Sequence, residues 1–352
     1  MKSLAEIKQL INDNRIDLGA MAPLGAPLIM YVETSGFCNL KCKFCPHYSD
    51  PEGLTKDNMS FELFKKLVRD MKSFPEKVEL LRYCGTGENL LNKRFSEMVE
   101  LASREGAAKR QELITNALLL TPEIASKITP FLDRIIISLE GLTDQDYFDV
   151  AGMKASKNSN FDVLVRNVSW LHKVKGDCQV HIKCHNHAVN NREKLEKFYE
   201  IFRPLTDRVF IENLASIWPE VPAEKSNLGI DAGTRWQTEA ISKKVCVQIF
   251  KSMLVNANGE VVPCCVDFKR VNKIGDIREQ SIVDIWFGTQ MRALQERHLC
   301  GLKGQTRPCA DCTMNDYGDP DNIDDQADQV LSRLKMTSSG NPPLGSTRGA
   351  KP

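Results

Sequence analysis

No run in this 352-residue chain approaches the ~20 consecutive apolar residues of a membrane-spanning helix, so the sequence predicts no membrane span. The start, Met1-Lys2-Ser3-Leu4-Ala5-Glu6-Ile7, lacks the apolar core of a secretory leader and reads as an amphipathic helix. Net charge is nearly absent. Forty-seven basic residues against 46 acidic ones leave +1, which gives no global field to draw the chain to nucleic acid or to an anionic membrane. There are no internal repeats, which removes solenoids and arrays. These absences predict a cytoplasmic protein without a nucleic-acid or membrane partner. Cysteine is what the chain does have, with 12 of them. The cytosol keeps thiols reduced, so so many cysteines point to metal ligation or redox chemistry rather than disulfides. Cys38, Cys42 and Cys45 lie near the start, Cys84, Cys178 and Cys184 in the middle, and Cys246, Cys264, Cys265, Cys300, Cys309 and Cys312 in a C-terminal stretch. That distribution implies two separate metal centres.

Hydrophobic content of 42% and charged content of 26% are those of an ordinary globular protein. The length predicts one large domain and a smaller one. Strand-like apolar runs at Leu28–Thr34, Val78–Tyr83, Glu112–Thr115, Arg134–Leu139, Val180–Cys184 and Val209–Leu214 alternate with helical segments. In Phe61–Met71 the residues Phe61, Phe64, Leu67, Val68 and Met71 recur at the spacing of one buried helix face, and Phe161–Val174 and Lys194–Phe202 follow the same pattern. Such alternation predicts a parallel sheet with right-handed crossovers, here with two βα units fewer than a closed eight-stranded barrel. A connector over 216–240 follows. Met253–Val262 then reads as a hairpin about an Asn/Gly turn, and a single helix is expected over Ser281–His298. From 319 onward the expectation is a mostly disordered tail with one short helix near Val330–Leu334.

The run Cys38-Asn39-Leu40-Lys41-Cys42-Lys43-Phe44-Cys45 spaces three thiolates as CxxxCxxC on one loop. Three is one fewer than a [4Fe–4S] cluster requires, which leaves one iron open to a small ligand. With Phe44 before the third cysteine, the motif resembles the radical S-adenosylmethionine (radical SAM) superfamily. The resemblance implies a partial (β/α)6 barrel of the TIM type with the site at the C-terminal strand ends. It also implies S-adenosylmethionine on the open iron and reductive cleavage to a 5′-deoxyadenosyl radical. Two bland readings stand beside it: a zinc site, which favours four ligands, and three unrelated thiols.

Further loops support the resemblance. Tyr83-Cys84-Gly85-Thr86-Gly87-Glu88-Asn89 is similar to the family's GGEP loop, with Thr86 and Asn89 in place of glycine and proline. By that likeness Glu88 takes the ammonium group of S-adenosylmethionine. Thr115-Asn116-Ala117 is similar to the family's TNG, and Ile135–Gly141 resembles its ISxDG stretch with Glu140 for aspartate. There Ser138 falls where the family contacts the cofactor, although a serine ending a buried strand is equally satisfied by backbone groups. His185 and His187 follow the fifth strand, where barrel enzymes place acids and bases, yet they read equally as polar loop residues. Cys184 is a candidate hydrogen-atom donor, or a small buried apolar residue like Cys84 and Cys178. No catalytic residue is assigned.

Cys246 and Cys264 flank the hairpin, and Cys309-Ala310-Asp311-Cys312 supplies a CxxC pair. Four thiolates close the coordination of one [4Fe–4S] cluster, or of a zinc ion. The order resembles the twitch domain, a shortened SPASM domain with an auxiliary cluster, and departs from the seven cysteines of a full SPASM domain. Cys265 and Cys300 are left over and either is able to replace a named ligand. The organisation expected is an N-terminal helical extension (1–27), the barrel (28–215), the connector (216–240), a small α+β auxiliary domain (241–318) and the tail (319–352). The function implied is hydrogen abstraction from an unactivated carbon of a small carbohydrate- or aminocyclitol-like substrate, ending in oxidation or epimerisation. A flavodoxin- or ferredoxin-like protein would supply the electron. The alternatives are modification of a ribosomally made peptide and a non-catalytic iron–sulfur or zinc scaffold.

Overall fold

The computed structural model describes residues 16–153, 160–214, 217–219, 241–317 and 319–338. The start of the N-terminal extension, most of the connector and the end of the tail lie outside the described residues.

Six parallel strands run in chain order: β1 (Ile29–Val32), β2 (Val78–Tyr83), β3 (Ala108–Thr115), β4 (Arg134–Leu139), β5 (Gln179–His185) and β6 (Arg208–Glu212). Each neighbour in sequence is a neighbour in space, which is the half-barrel that the alternation predicts. The crossover helices start where short polar side chains satisfy their first amides: Ser60 accepts from Leu63 N, Thr121 from Ile124 N, and Asn191 from Lys194 N. The Phe61–Met71 helix buries Phe64, Leu67, Val68 and Met71 against the sheet, the face its periodicity marks.

Alternate strand residues point to the concave side, and the register aligns them in layers. Tyr31 pairs with Arg82, Arg82 with Glu112, Glu112 with Arg134, and Arg134 with Gln179. This layer is polar and held by charge. Buried Glu112 takes Arg82 Nε at 2.6 Å and Arg134 Nη1 at 3.2 Å, so one carboxylate is shared between two guanidinium groups in this layer.

The auxiliary region is joined to the barrel through the sheet. β7 (Ser252–Val255) pairs in parallel with β1, Ile29 opposite Ser252, and β8 (Glu260–Val262) and β9 (Gly275–Asp276) continue antiparallel, giving one nine-stranded sheet in the order 6-5-4-3-2-1-7-8-9. The hairpin therefore extends the edge that a half-barrel leaves open at β1. Lys66 Nζ donating to Gln280 O (2.7 Å) and the Lys269–Asp50 ion pair (2.7 Å) add links between the two parts.

Two expectations are corrected. The single helix over Ser281–His298 is two, Ile282–Trp286 and Thr289–Leu299, broken at Gly288, where an added Cβ would stand 2.8 Å from Asp284 O. The tail is ordered as far as it is described: a helix spans Ala327–Ser338, with Val330 and Leu334 buried one turn apart. Arg333 ties it to the other end of the chain, Nε donating to Ala22 O at 2.8 Å and Nη2 to Gly19 O. Its partners lie some 310 residues earlier, which no local pattern reveals.

Candidate active site

The cysteine loop leaves β1 and is pinned from three sides. Glu88 N donates to Phe37 O (2.7 Å), Lys41 N to Ala151 O and Lys43 N to Val150 O (both 2.9 Å), and Asn116 Nδ2 to Asn39 Oδ1 (2.8 Å). Glycine is required for that approach: a Cβ on Gly87 would lie 2.0 Å from Ser35 O and 2.8 Å from Phe37 O. Asn89, standing where the family has proline, has its own work, since its Oδ1 accepts from Thr34 N (2.7 Å) and Thr34 Oγ1 (2.8 Å).

Cys38, Cys42 and Cys45 line one cavity of about 320 Å3 at the C-terminal strand ends, together with Phe44, Glu88, Thr115, Asn116, Ser138 and Glu140. Burial pushes the Cys38 and Cys45 thiols up to about 12 and Cys42 well above its ordinary range, and the nearby Glu140 and neighbouring thiols add to this. Three thiols gathered out of water beside carboxylates resist ionisation alone and are stabilised as thiolates by a cationic metal centre. The donor set fits a site-open iron–sulfur cluster.

Glu88, expected to take the ammonium group, lines the cavity with its carboxylate already hydrogen-bonded from the protein. Its carboxylate is buried and receives Leu90 N (3.1 Å) and Thr115 Oγ1 (3.0 Å) on Oε1, and Asn116 N (2.9 Å) on Oε2. Glu88 thus ties its own turn to the end of β3 at the cavity edge. The sequence reading missed Glu33, a fully buried carboxylate at the end of β1 that holds the glycine loop by accepting from Thr86 N (2.7 Å), Thr86 Oγ1 (2.8 Å) and Gly87 N (3.0 Å). An acid closing an apolar strand was the available signal.

Phe44 meets the His185 ring edge-on at 5.7 Å between centroids. His185 is a strut: Nδ1 accepts from Ala188 N and Nε2 donates to Glu140 O, both at 3.2 Å. Burial lowers it to about 4, so it is neutral and committed at both nitrogens. Cys184 is buried on β5 and lines the cavity, and Cys178 is buried just before that strand. Glu140 carries no such commitment of charge; burial raises its carboxyl to about 7, opposed by Lys183. Lys183 and Glu212, an ion pair at 3.6 Å, line the same cavity beside Arg82.

Cys246, Cys264, Cys309 and Cys312 line a second, small pocket with Pro263, Asn272 and Lys303. Burial raises Cys246 and Cys309 to about 12 and Cys312 to about 11, and Cys246 is felt by Cys264 and Cys309 alike, as thiols facing one centre require. Among the described residues no group of His, Cys, Asp or Glu is drawn tightly enough for a single metal ion. Four thiols around a common pocket fit a [4Fe–4S] cluster, whose coordination four thiolates complete. Cys265 faces the larger cavity instead, and Cys300 is exposed at a helix end. Val266 and Met314 line both pockets, so one apolar wall separates the two cysteine sites.

The family model of the radical SAM superfamily matches residues 32–203, and that of an iron–sulfur cluster-binding domain, SPASM, matches residues 246–313. A curated relative, the S-adenosyl-L-methionine-dependent 2-deoxy-scyllo-inosamine dehydrogenase of Niallia circulans, is 22% identical over 285 residues, 80% of this chain and 90% of that protein. Among solved structures, BtrN in complex with AdoMet and 2-DOIA superposes with a TM-score of 0.53 at 18% identity, covering 85% of this chain and 95% of that one. Streptococcus suis SuiB bound to precursor peptide SuiA gives 0.60 at 14%, covering 93% and 76%. The anSMEcpe structure with bound AdoMet gives 0.57 at 14%, covering 90% and 96%.

Proposed function

From the premise that this chain belongs to the radical SAM superfamily and carries a SPASM domain, we propose that it oxidises a small carbohydrate- or aminocyclitol-like alcohol. Its two domains bring a [4Fe–4S] cluster that binds S-adenosylmethionine and an auxiliary cluster. In this reading Cys38, Cys42 and Cys45 hold the first, and Cys246, Cys264, Cys309 and Cys312 the second. When bound, these groups supply the hard chemistry: a 5′-deoxyadenosyl radical able to take hydrogen from an unactivated carbon, and an acceptor for the second electron of an alcohol oxidation.

The protein's part is position, charge and exclusion of water. The observation that carries the proposal is the shared wall: the cavity runs from the CxxxCxxC loop to Val266 and Met314, which also line the auxiliary pocket. A substrate held there lies between the two centres. The lining suits a polar substrate with both donors and acceptors, since Arg82, Lys183, Glu212 and Ser138 all reach it. Lys183 beside Glu212 offers a cation for a hydroxyl oxygen and a carboxylate for an ammonium within one pair. Ser138 and Phe44 flank the cofactor's place, and Glu88, bracing Thr115 and Asn116, fixes the strand ends around it. The dehydrogenase relative, similar along most of both chains, supports oxidation of an aminocyclitol.

The test is anaerobic turnover of the reconstituted protein with S-adenosylmethionine, dithionite and 2-deoxy-scyllo-inosamine. The reading expects 5′-deoxyadenosine and a ketone in equal amounts. Recovery of an epimer carrying solvent deuterium would replace oxidation by epimerisation, and deoxyadenosine whose yield ignores the substrate would reject the substrate class.

A further inference from the structure

Backbone amides of neighbouring residues serve two of the four auxiliary thiols. Gln248 N serves Cys246, and Met314 N and Asn315 N serve Cys312. Cys309 differs. A side-chain amide reaches it across 37 positions of sequence: Asn272 Nδ2 donates to Cys309 Sγ at 3.7 Å, and Asn272 lines the pocket that the four cysteines share.

Asn272 is held for this contact by its own loop. The Asp267 carboxylate accepts from Asn272 N (2.8 Å) on one oxygen and from Val271 N (3.0 Å) on the other, and Arg270, with φ of 59°, turns the chain between them. The loop follows directly from Cys264, so one ligand-bearing segment delivers an amide to a ligand on another. A coordinated cysteine is a thiolate and only accepts, so the amide must present N–H to it rather than its oxygen. Hydrogen bonds to cluster sulfurs lower their electron density, favour the reduced state and raise the reduction potential. A higher potential adds driving force for taking an electron from a substrate radical.

We propose that Asn272 is the positioning residue that raises the reduction potential of the auxiliary cluster through its hydrogen bond to Cys309. The inference deepens the oxidation reading, in which that cluster takes the second electron, but its test needs no substrate. The backbone donors come with the fold; Asn272 is a side chain that substitution removes while all four ligands remain.

The experiment is potentiometric titration followed by electron paramagnetic resonance, on the reconstituted full chain as Asn272, Asn272→Leu and Asn272→Asp. Iron and sulfide content is measured on each. With the cluster retained, Asn272→Leu should make reduction about tenfold less favourable, ~59 mV more negative for one electron. Asn272→Asp, which sets a carboxylate against the thiolate, should shift it further in the same direction, and the signal of the S-adenosylmethionine-binding cluster should not move. An unchanged auxiliary potential in Asn272→Leu with full iron overturns the proposal. Loss of the cluster from both variants also overturns it, because Asn272 would then retain the cluster rather than tune it. If the potential shifts while no alcohol is oxidised, the tuning stands and the substrate reading falls.

Discussion

The two cysteine sites of this protein are built in opposite ways. Cys38, Cys42 and Cys45 lie on one eight-residue stretch, and the barrel's task is to pin that loop through Phe37, Lys41, Lys43 and Asn39. Cys246, Cys264, Cys309 and Cys312 come from three segments with no common loop, and their convergence depends on remote polar staples. Lys251 bridges Asp319 (2.6 Å) and Asp321 (2.8 Å), Gln248 Nε2 donates to Asp319, and Asn315 Nδ2 donates to the carbonyls of Lys243 and Val245. A local site needs its loop held; an assembled site needs its fold closed. Metal binding to the first should therefore couple weakly to global stability and binding to the second strongly.

The largest effect that sharpens this contrast is the Cys38/Cys42/Cys45→Ala triple substitution. Iron content should fall from about eight to about four per chain, and deoxyadenosine formation should vanish while the unfolding midpoint moves little. Full cleavage activity in that variant would break the account. Next comes Cys309/Cys312→Ala, which should remove the auxiliary cluster, lower the unfolding midpoint and stop formation of oxidised product, yet leave deoxyadenosine formation with dithionite intact. Product made without that cluster would favour an epimerase whose cycle a hydrogen-atom donor closes.

Smaller effects separate the braces of the two regions. Glu88→Ala leaves the Thr115 hydroxyl and the Leu90 and Asn116 amides without their acceptor; it should weaken S-adenosylmethionine binding by about 2–5 kcal/mol while iron content stays whole. Lys251→Met removes the cation shared by Asp319 and Asp321 and should cost about 3 kcal/mol of stability, with loss of auxiliary iron first. Equal effects of both on S-adenosylmethionine affinity, read by equilibrium dialysis, would show that the sites are not independent.

The smallest expected effect is a pH dependence shared by the two regions. His185 beside the cysteine loop, His298 beside Cys246 and His181 on β5 are each lowered to about 4, in every case chiefly by burial. A histidine depressed in the folded state binds its proton first in the unfolded chain, so stability is complete above about pH 6.5 and is lost as pH falls toward 4. His298→Asn should flatten that loss in denaturant titrations at pH 7 and 5; an unaltered slope would remove His298 from the explanation. Its Nδ1 accepts Cys246 N at 3.3 Å, so the same variant reports on the assembled site.

What the sequence disclosed follows the same division. Strands β2 and β4 and the Phe61–Met71 helix were readable residue for residue, because apolar periodicity and a cap at Ser60 are local signals. The CxxxCxxC loop was readable for the same reason. The parallel pairing of β7 with β1, some 220 residues away, was not; of the helix at Ala327–Ser338 only the part near Val330–Leu334 was legible, and its docking on the chain near Gly19 and Ala22 was not. Glu88 shows the limit inside the site itself: its position was legible, but donors from its own turn and from the end of β3 engage its carboxylate.

The central claim is that two clusters with different ligand sets flank one cavity and that only one of them binds S-adenosylmethionine. Electron paramagnetic resonance of the dithionite-reduced, reconstituted protein, with and without S-adenosylmethionine, tests it most directly. The account predicts two reduced-cluster signals, of which S-adenosylmethionine perturbs only the one that the Cys38/Cys42/Cys45→Ala variant lacks. A single signal, or a perturbation of the signal that survives in that variant, would contradict it.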